Sequence, residues 1–110
     1  MGISVSAVSR NTCLINYNNI TDEIECYSIG HIGESFDSEK KSIKNKRIKQ
    51  FMYITIMANT IFNTKQLIAL SKELDILEKL DLINKQDFDI IKNGVKIALE
   101  KNLYLKFEYD

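Results

Sequence analysis

Four short stretches of the chain have the residue pattern of β-strands. In the first of them, Ile3, Val5 and Ala7 alternate with serines. A period of two is typical of a strand with one buried face. Turn-forming residues separate the first three stretches, which indicates an antiparallel arrangement. The predicted strands are 3–7, 12–17, 24–29 and 103–109.

A stretch after residue 62 has the spacing of an amphipathic helix. Asn63 is its predicted N-cap, and Gln66 stands at the third helical position, as in a capping box. Apolar residues then recur at 3-4-3 spacing, which places them on one face of a helix that ends near 80–82. The apolar residues of this face are Leu67, Leu70, Leu74 and Leu77.

A second helix is predicted to begin after Asn84, which is a suitable N-cap. The pair Asn93-Gly94 interrupts the helical pattern, because Asn-Gly between apolar runs is also a strong hairpin signal. We favour the helix, in which an interior glycine costs about 1 kcal/mol, and the hairpin remains the alternative. The apolar residues at helical spacing are Phe88, Ile91, Val95 and Ala98.

The middle of the chain has a less regular pattern. Residues 30–37 are expected to form a loop, and a helix is expected to follow it. The solvated first half of this helix would be 40–49, and its buried second half would be 51–62. The β-branched and aromatic residues at 53–56 fit a buried strand nearly as well, so a strand is the alternative there.

The predicted elements define an α+β fold. We expect a small antiparallel sheet, made of the N-terminal strands and the C-terminal strand, with about three helices covering one face. The chain has 110 residues, of which 45% are apolar and 27% are charged. This size and composition predict a single domain, 1–110, and exclude collagen-like, disulfide-framework and disordered classes.

We expect the protein to act in the cytoplasm. The first residues lack the basic start and the long apolar run of a signal peptide. The most apolar window, 51–62, has twelve residues. A bilayer span needs about 20, so no membrane insertion is expected. Cys13 and Cys26 are the only cysteines, and we expect both to be free thiols in a reducing compartment.

Few residues offer catalytic or metal-binding chemistry. His31 is the single histidine and could be a general base, but no second catalytic group accompanies it. Cys13, Cys26 and His31 are zinc-type ligands, but they lack the closely spaced cysteine pair of structural zinc sites. No glycine-rich phosphate loop is present in the sequence. We therefore predict a protein that is not an enzyme, with no metal and no cofactor.

The distribution of charge is the most informative feature of the sequence. The formal net charge is zero, because 15 basic residues balance 15 acidic ones. Residues 22–39 contain six acids and no Lys or Arg, whereas 40–49 contain six basic residues and no acid. The acidic segment is suited to steering a basic partner. Its acids are Asp22, Glu23, Glu25, Glu34, Asp37 and Glu39.

Several segments of the chain resemble the immunity proteins of bacterial contact-dependent growth inhibition. They are the opening ISVSAV strand, the acidic DEIECYSIGHIGESFDSE segment, the two Leu/Ile-rich helices and the LYLKFEYD end. The resemblance implies a cytosolic protein that binds one cognate toxin domain, often a nuclease, and blocks its active site. Many nuclease inhibitors present acidic groups to a basic nucleic-acid cleft, and residues 22–39 offer such groups.

The predicted partner-binding surface combines the six acids with aromatic anchors near them. Complexes usually depend on a few central anchors, and the candidates here are Tyr17, Tyr27 and Phe36. The alternative function is a small nucleic-acid-binding regulator that uses the basic run 40–49. A nucleic-acid partner is the weaker hypothesis, because the run contains no aromatic residue for base stacking. The sequence leaves the oligomeric state open.

Overall fold

The computed structural model describes residues 2–9 and 26–109. Its elements in chain order are β1 (Ile3–Val8), β2 (Cys26–Ile32), α1 (Phe36–Lys40), β3 (Thr60–Phe62), α2 (Thr64–Leu80), α3 (Lys85–Lys101) and β4 (Tyr104–Tyr109). Within these residues the four strands form one antiparallel sheet in the order β2-β1-β4-β3. The predicted small α+β fold is therefore confirmed.

The centre of the sheet is the pair of strands β1 and β4. The alternating residues Ile3, Val5 and Ala7 are each at most 1% exposed, as the period of two predicts. Val5 pairs with Phe107 of β4, which is also fully buried. The first and last predicted strands are therefore confirmed, and they are neighbours in the sheet.

Helix α2 agrees with the prediction in both its start and its buried face. The Asn63 side chain accepts the Gln66 N–H, and the Gln66 side chain accepts the Asn63 N–H, which completes the capping box. The four leucines of the predicted face are each at most 3% exposed. The helix ends at Leu80, because Asp81 adopts a left-handed conformation with a φ of 50°.

Helix α3 runs without interruption through Gly94, so the hairpin alternative is wrong. The Asn84 side chain accepts two N–H groups of the first turn, as predicted for the N-cap. A Cβ at Gly94 would lie 3.1 Å from Leu105 Cδ1 and 3.4 Å from Val5 Cγ1. The glycine therefore lets the helix approach the central strands closely, which explains its place inside a helix.

Strand β2 extends into the region predicted to be a loop, so this part of the prediction is wrong. Residues 30–32 pair with the first three residues of β1, and Ile32 is fully buried. A Cβ at Gly30 would lie 3.2 Å from the side chain of Ile90 in α3. Glycine at this position thus permits helix packing on the strand and does not indicate a loop.

The long helix predicted over 38–62 is also wrong. Only α1, a 3₁₀ turn at Phe51–Tyr53 and β3 are regular there, and 53–56 is not a strand. Ile43 and Ile48 are 8% and 5% exposed, although five residues would place them on different faces of a helix. An irregular backbone allows both isoleucines to reach the core while the lysines between them stay in solvent.

The core lies between the helices and one face of the sheet. Phe36 and Phe51 pack edge to face with ring centroids 5.4 Å apart, and Phe62 and Phe107 do so at 5.6 Å. Among the helices of the described residues, none has both the length and the apolarity needed to cross a bilayer. Several predicted features lie outside the described residues: the strand 12–17, Cys13, Tyr17, Asp22, Glu23 and Glu25.

Candidate functional site

Asp37, one of the predicted contact residues, is bonded to its own chain. Its carboxylate accepts the Thr55 hydroxyl at 2.8 Å and the Ile56 N–H at 3.3 Å. It also lies 3.5 Å from Lys40 Nζ. Asp37 thus fastens α1 to the segment that precedes β3, and this role occupies both of its carboxylate oxygens.

Glu39 is also occupied inside the protein, at the start of α3. It accepts the backbone N–H of Asn84, although its Oε2 atom is buried with no hydrogen-bond partner among the described residues. Asp87 of α3 accepts the backbone N–H of Gly33. Burial raises the pKa of Glu39, and the negative charge of Asp87 raises it further. Burial also raises the pKa of Asp87, against the opposing effects of the Gly33 hydrogen bond and the charge of His31.

The predicted aromatic anchors differ in their exposure. Phe36 is fully buried against Phe51, so the expectation that it contacts a partner is corrected. Tyr27 is 40% exposed on β2, and Lys101 Nζ lies 4.9 Å from its ring centroid. This cation–π contact holds one face of the Tyr27 ring against α3.

Four exposed apolar side chains come from the segment that precedes β3 and from the end of β4. We call Met52, Tyr53, Met57 and Tyr109 the apolar patch; they are 40%, 62%, 81% and 46% exposed. Met57 and Tyr109 line a hollow together with Glu34, which is exposed. Glu34 therefore lies beside this patch, and Asp37 is bonded to Thr55 and Ile56, which precede Met57.

Two hydrogen bonds hold the backbone segments that carry the apolar patch. The Thr60 hydroxyl donates to the Tyr53 carbonyl at 2.9 Å, and the Tyr109 N–H donates to Asn59 Oδ1 at 2.8 Å. The segment that carries Met57 is thus joined to the end of β4. The patch is consequently a property of the folded chain, because its members are up to 57 residues apart in sequence.

Tyr27 and the apolar patch lie at opposite corners of the sheet. Tyr27 pairs with Ala7, whereas Tyr109 pairs with Ile3 at the other end of β1. Four residues of strand separate the two positions by about 13 Å along β1. Tyr27 also belongs to the edge strand β2, whereas the patch adjoins β3 at the opposite edge. The two features do not form a single site.

The basic run 40–49 does not form one continuous solvated face. Lys40 is only 6% exposed, and its ammonium group donates to the carbonyl oxygens of Met52 and Ile54. Burial lowers the pKa of Lys40, and the nearby Asp37 carboxylate opposes this effect. The exposed cations of the run are Lys41, Lys44, Lys46, Arg47 and Lys49.

The candidate zinc ligands are far apart where the structure describes them. Cys26 and His31 both lie in β2, and five residues of strand separate them by roughly 16 Å. Cys13 lies outside the described residues. In residues 2–9 and 26–109, no three His, Cys, Asp or Glu side chains come together as metal ligands. His31 itself is a strand residue paired with Ser4, which corrects its predicted loop position.

The pattern of the sequence did not predict the apolar patch as a contact surface. Tyr53 and Met57 belong to the most apolar window of the chain, and such a window predicts burial. Two signals in the same window favoured a different structure. The β-branched residues of 54–56 lower its helix propensity, and Asn59 interrupts its apolar run.

Comparisons with known proteins identify no relative. No protein-family model, no curated protein and no solved structure matches this chain. The geometry and chemistry of the surface are therefore the basis for a functional proposal.

Proposed function

We propose that this protein is an immunity-type binding module of the cytoplasm, which neutralises a cognate toxin domain by covering its active site. The resemblance of the sequence to contact-dependent growth inhibition immunity proteins motivates the proposal. The apolar patch is the observation that carries it. In this proposal the patch, with Glu34 at its border, contacts the toxin domain.

The residue types of the apolar patch are those of a protein interface. Met57 is 81% exposed and Tyr53 is 62% exposed, so both offer apolar surface to a partner. Interface cores are enriched in Tyr and Met and depleted in Lys and Glu. Tyrosine also anchors interfaces at a low cost in side-chain entropy.

The acid beside the apolar patch favours a basic partner. Glu34 lines the same hollow as Met57, whereas Glu108, which precedes Tyr109 in β4, points to the opposite face of the sheet. The Glu108 side chain is 48% exposed and forms a surface ion pair with Lys106 at 3.4 Å. An acidic border would steer a basic surface, such as the nucleic-acid cleft of a nuclease, and set its orientation.

Inhibition in this proposal is steric and needs no chemistry from the inhibitor. A stable complex buries roughly 1,600 Å² in total, which is enough to cover the entrance to a catalytic cleft. Asp37 and Glu39 bond to other segments of their own chain, and Glu34 contacts the partner. The contact roles predicted for Asp22, Glu23 and Glu25 remain predictions.

The test begins with a search for a toxin domain encoded beside this gene, and any such domain is then used as the partner. We expect the purified chain to bind that domain with a nanomolar or lower Kd by calorimetry, and to restore growth of cells that express it. The double variant Y53A/M57D should weaken binding at least about 100-fold, because it removes two anchors of the interface. Ile68→Asp is the matched control, since Ile68 is 48% exposed on α2, and it should change Kd less than about threefold.

Two outcomes would overturn the proposal. One is that the wild-type chain neither binds the neighbouring toxin domain nor restores growth. The other is that Y53A/M57D, folded by circular dichroism, binds as tightly as the wild type, which would remove the apolar patch from the interface.

A further inference from the structure

A second surface of the molecule carries a group of cations from two elements. Lys46, Arg47 and Lys49 come from the irregular segment after α1, and Lys65, Lys72 and Lys79 come from α2. All six are exposed, and we call them the basic face. Lys46, Arg47, Lys49 and Lys72 line one shallow groove, whose floor includes Ala69 and Ile76.

The spacing of the α2 lysines puts them on one side of the helix. Lys65, Lys72 and Lys79 are seven residues apart, which is nearly two helical turns or about 10 Å. They lie opposite the buried leucine face of the same helix. The row of three lysines is therefore about 21 Å long and faces away from the core.

Glu73 holds the other three cations beside this row. Its carboxylate accepts the backbone N–H groups of Lys49, Gln50 and Phe51, each at 3.0 Å. These bonds fasten the segment that carries Lys46 and Arg47 to α2. They also engage both carboxylate oxygens of Glu73, the one acid in the lining of the groove.

The basic face differs from the neighbouring surface between α2 and α3. There, Lys92 Nζ lies 3.1 Å from Glu78, and a groove contains Lys96 together with Asp75 and Glu100. Acids and bases are therefore mixed between the two helices. Among the described residues, by contrast, no acid lies within 4.0 Å of a basic-face ammonium or guanidinium group.

We propose that the basic face binds the phosphate backbone of a nucleic-acid duplex without sequence preference. The cations supply contacts to phosphates, which provide the affinity of non-specific nucleic-acid binding. The groove lining contains no aromatic residue, so it offers no platform for stacking the bases of a single strand. An acidic protein fits less well, because lysine is depleted at protein interfaces and five of the six cations here are lysines.

The number of cations sets the expected strength and salt dependence of binding. Six phosphate contacts would give a slope of log K against log salt concentration near −5. Non-specific complexes of this kind have a Kd of about 10⁻⁴ to 10⁻⁶ M near physiological salt. Such binding uses side chains other than those of the toxin contact proposed above.

The experiment measures binding to a fluorescent 20-base-pair DNA duplex of mixed sequence between 50 and 200 mM NaCl. The triple variant K46Q/K49Q/K72Q should weaken binding at least about tenfold at 100 mM, and its salt slope should be smaller by about 2.7. The control variant K85Q/K92Q/K96Q removes the same charge from the mixed surface of α3. It should weaken binding less than about threefold.

Further binding measurements identify the class of ligand and distinguish the duplex-binding proposal from the toxin-binding proposal. A single strand of the same length should bind more weakly, and polyglutamate at equal charge should compete poorly. The inference would be overturned if the single strand or polyglutamate bound more strongly than the duplex. It would also be overturned if both triple variants lost duplex affinity equally, or if the wild type bound no duplex at 50 mM NaCl. The Y53A/M57D variant should keep duplex binding, and K46Q/K49Q/K72Q should still neutralise the toxin domain.

Discussion

Two backbone turns of this protein are capped by side chains, one from a neighbouring residue and one from a distant helix. At the start of α2, Asn63 and Gln66 exchange hydrogen bonds of 2.9 Å across three residues. The 3₁₀ turn at Phe51–Tyr53 is capped by Glu73, which accepts the N–H groups of residues 49–51. The sequence separation in this second case is 22 to 24 residues.

The difference between the two caps explains why one region was predictable and the other was not. A capping box has a fixed spacing, so Asn63 and Gln66 mark the start of α2 before any tertiary contact is considered. Nothing near residues 49–51 marks Glu73 as their acceptor, since any acid on α2 would look equally suitable. The backbone of the central segment depends on contacts that form only when the chain folds.

The largest expected effect is the loss of the distant cap in Glu73→Ala. Three backbone N–H groups that lie partly or fully inside the protein would lose their acceptor. Leaving several buried donors unsatisfied should reduce the free energy of unfolding by about 3 kcal/mol, measured by urea denaturation. In hydrogen exchange, the amides of 49–51 should lose protection by a larger factor than those of α3.

Glu78→Ala is the matched control for this prediction. Glu78 lies on the same helix, but its ion pair with Lys92 is on the surface, so its loss should cost less than about 0.5 kcal/mol. Equal costs for Glu73→Ala and Glu78→Ala would mean that the distant cap does not stabilise the central segment.

A smaller effect is expected when the local cap is removed. Asn63→Ala should reduce the free energy of unfolding by about 1 kcal/mol, because the Gln66 N–H loses its acceptor. Asn63→Gly should cost only a few tenths of a kcal/mol, since glycine is tolerated at an N-cap. A loss for Asn63→Ala as large as that for Glu73→Ala would contradict the ranking of the two caps.

The same contrast between local and distant contacts separates the predictable parts of the fold from the others. Helices α2 and α3 and strands β1 and β4 follow from periodicity and N-caps. The start of α3 and both ends of the other three elements agree with prediction within about two residues. In the central segment, Ile43 and Ile48 are buried by long-range packing, which has no period in the sequence. Helix and strand propensities could not predict the backbone of this segment, because tertiary contacts override these propensities.

The candidate site shows the same limit. Glu34 was predictable from the charge of its segment, and the structure leaves it on the surface. Asp37 and Glu39 share that charge, but they are only partly exposed and are bonded to residues 55–56 and to Asn84 of their own chain. Charge counts describe a segment, whereas the contacts of each carboxylate depend on elements brought close by folding.

The smallest effect concerns the pair of carboxyl groups that joins the Gly33 region to α3. Burial raises the pKa of Asp87 above 3.8 and the pKa of Glu39 above 4.5. At a pH between the ordinary and the raised pKa of each group, folding is therefore accompanied by proton uptake. In that window the folded state binds more protons than the unfolded state, so stability falls as pH rises. Lowering the pH from 7 toward this window should therefore increase the stability contributed by both groups.

Comparison with Asp87→Asn isolates this contribution from the other ionisable groups. The amide oxygen can still accept the Gly33 N–H, but the variant has no proton to gain at residue 87 and no charge to oppose Glu39. Lowering the pH from 7 to 4 should therefore change the Tm of the wild type more favourably than the Tm of the variant. If both proteins show the same pH dependence of Tm, burial does not raise the pKa of Asp87 in the folded state.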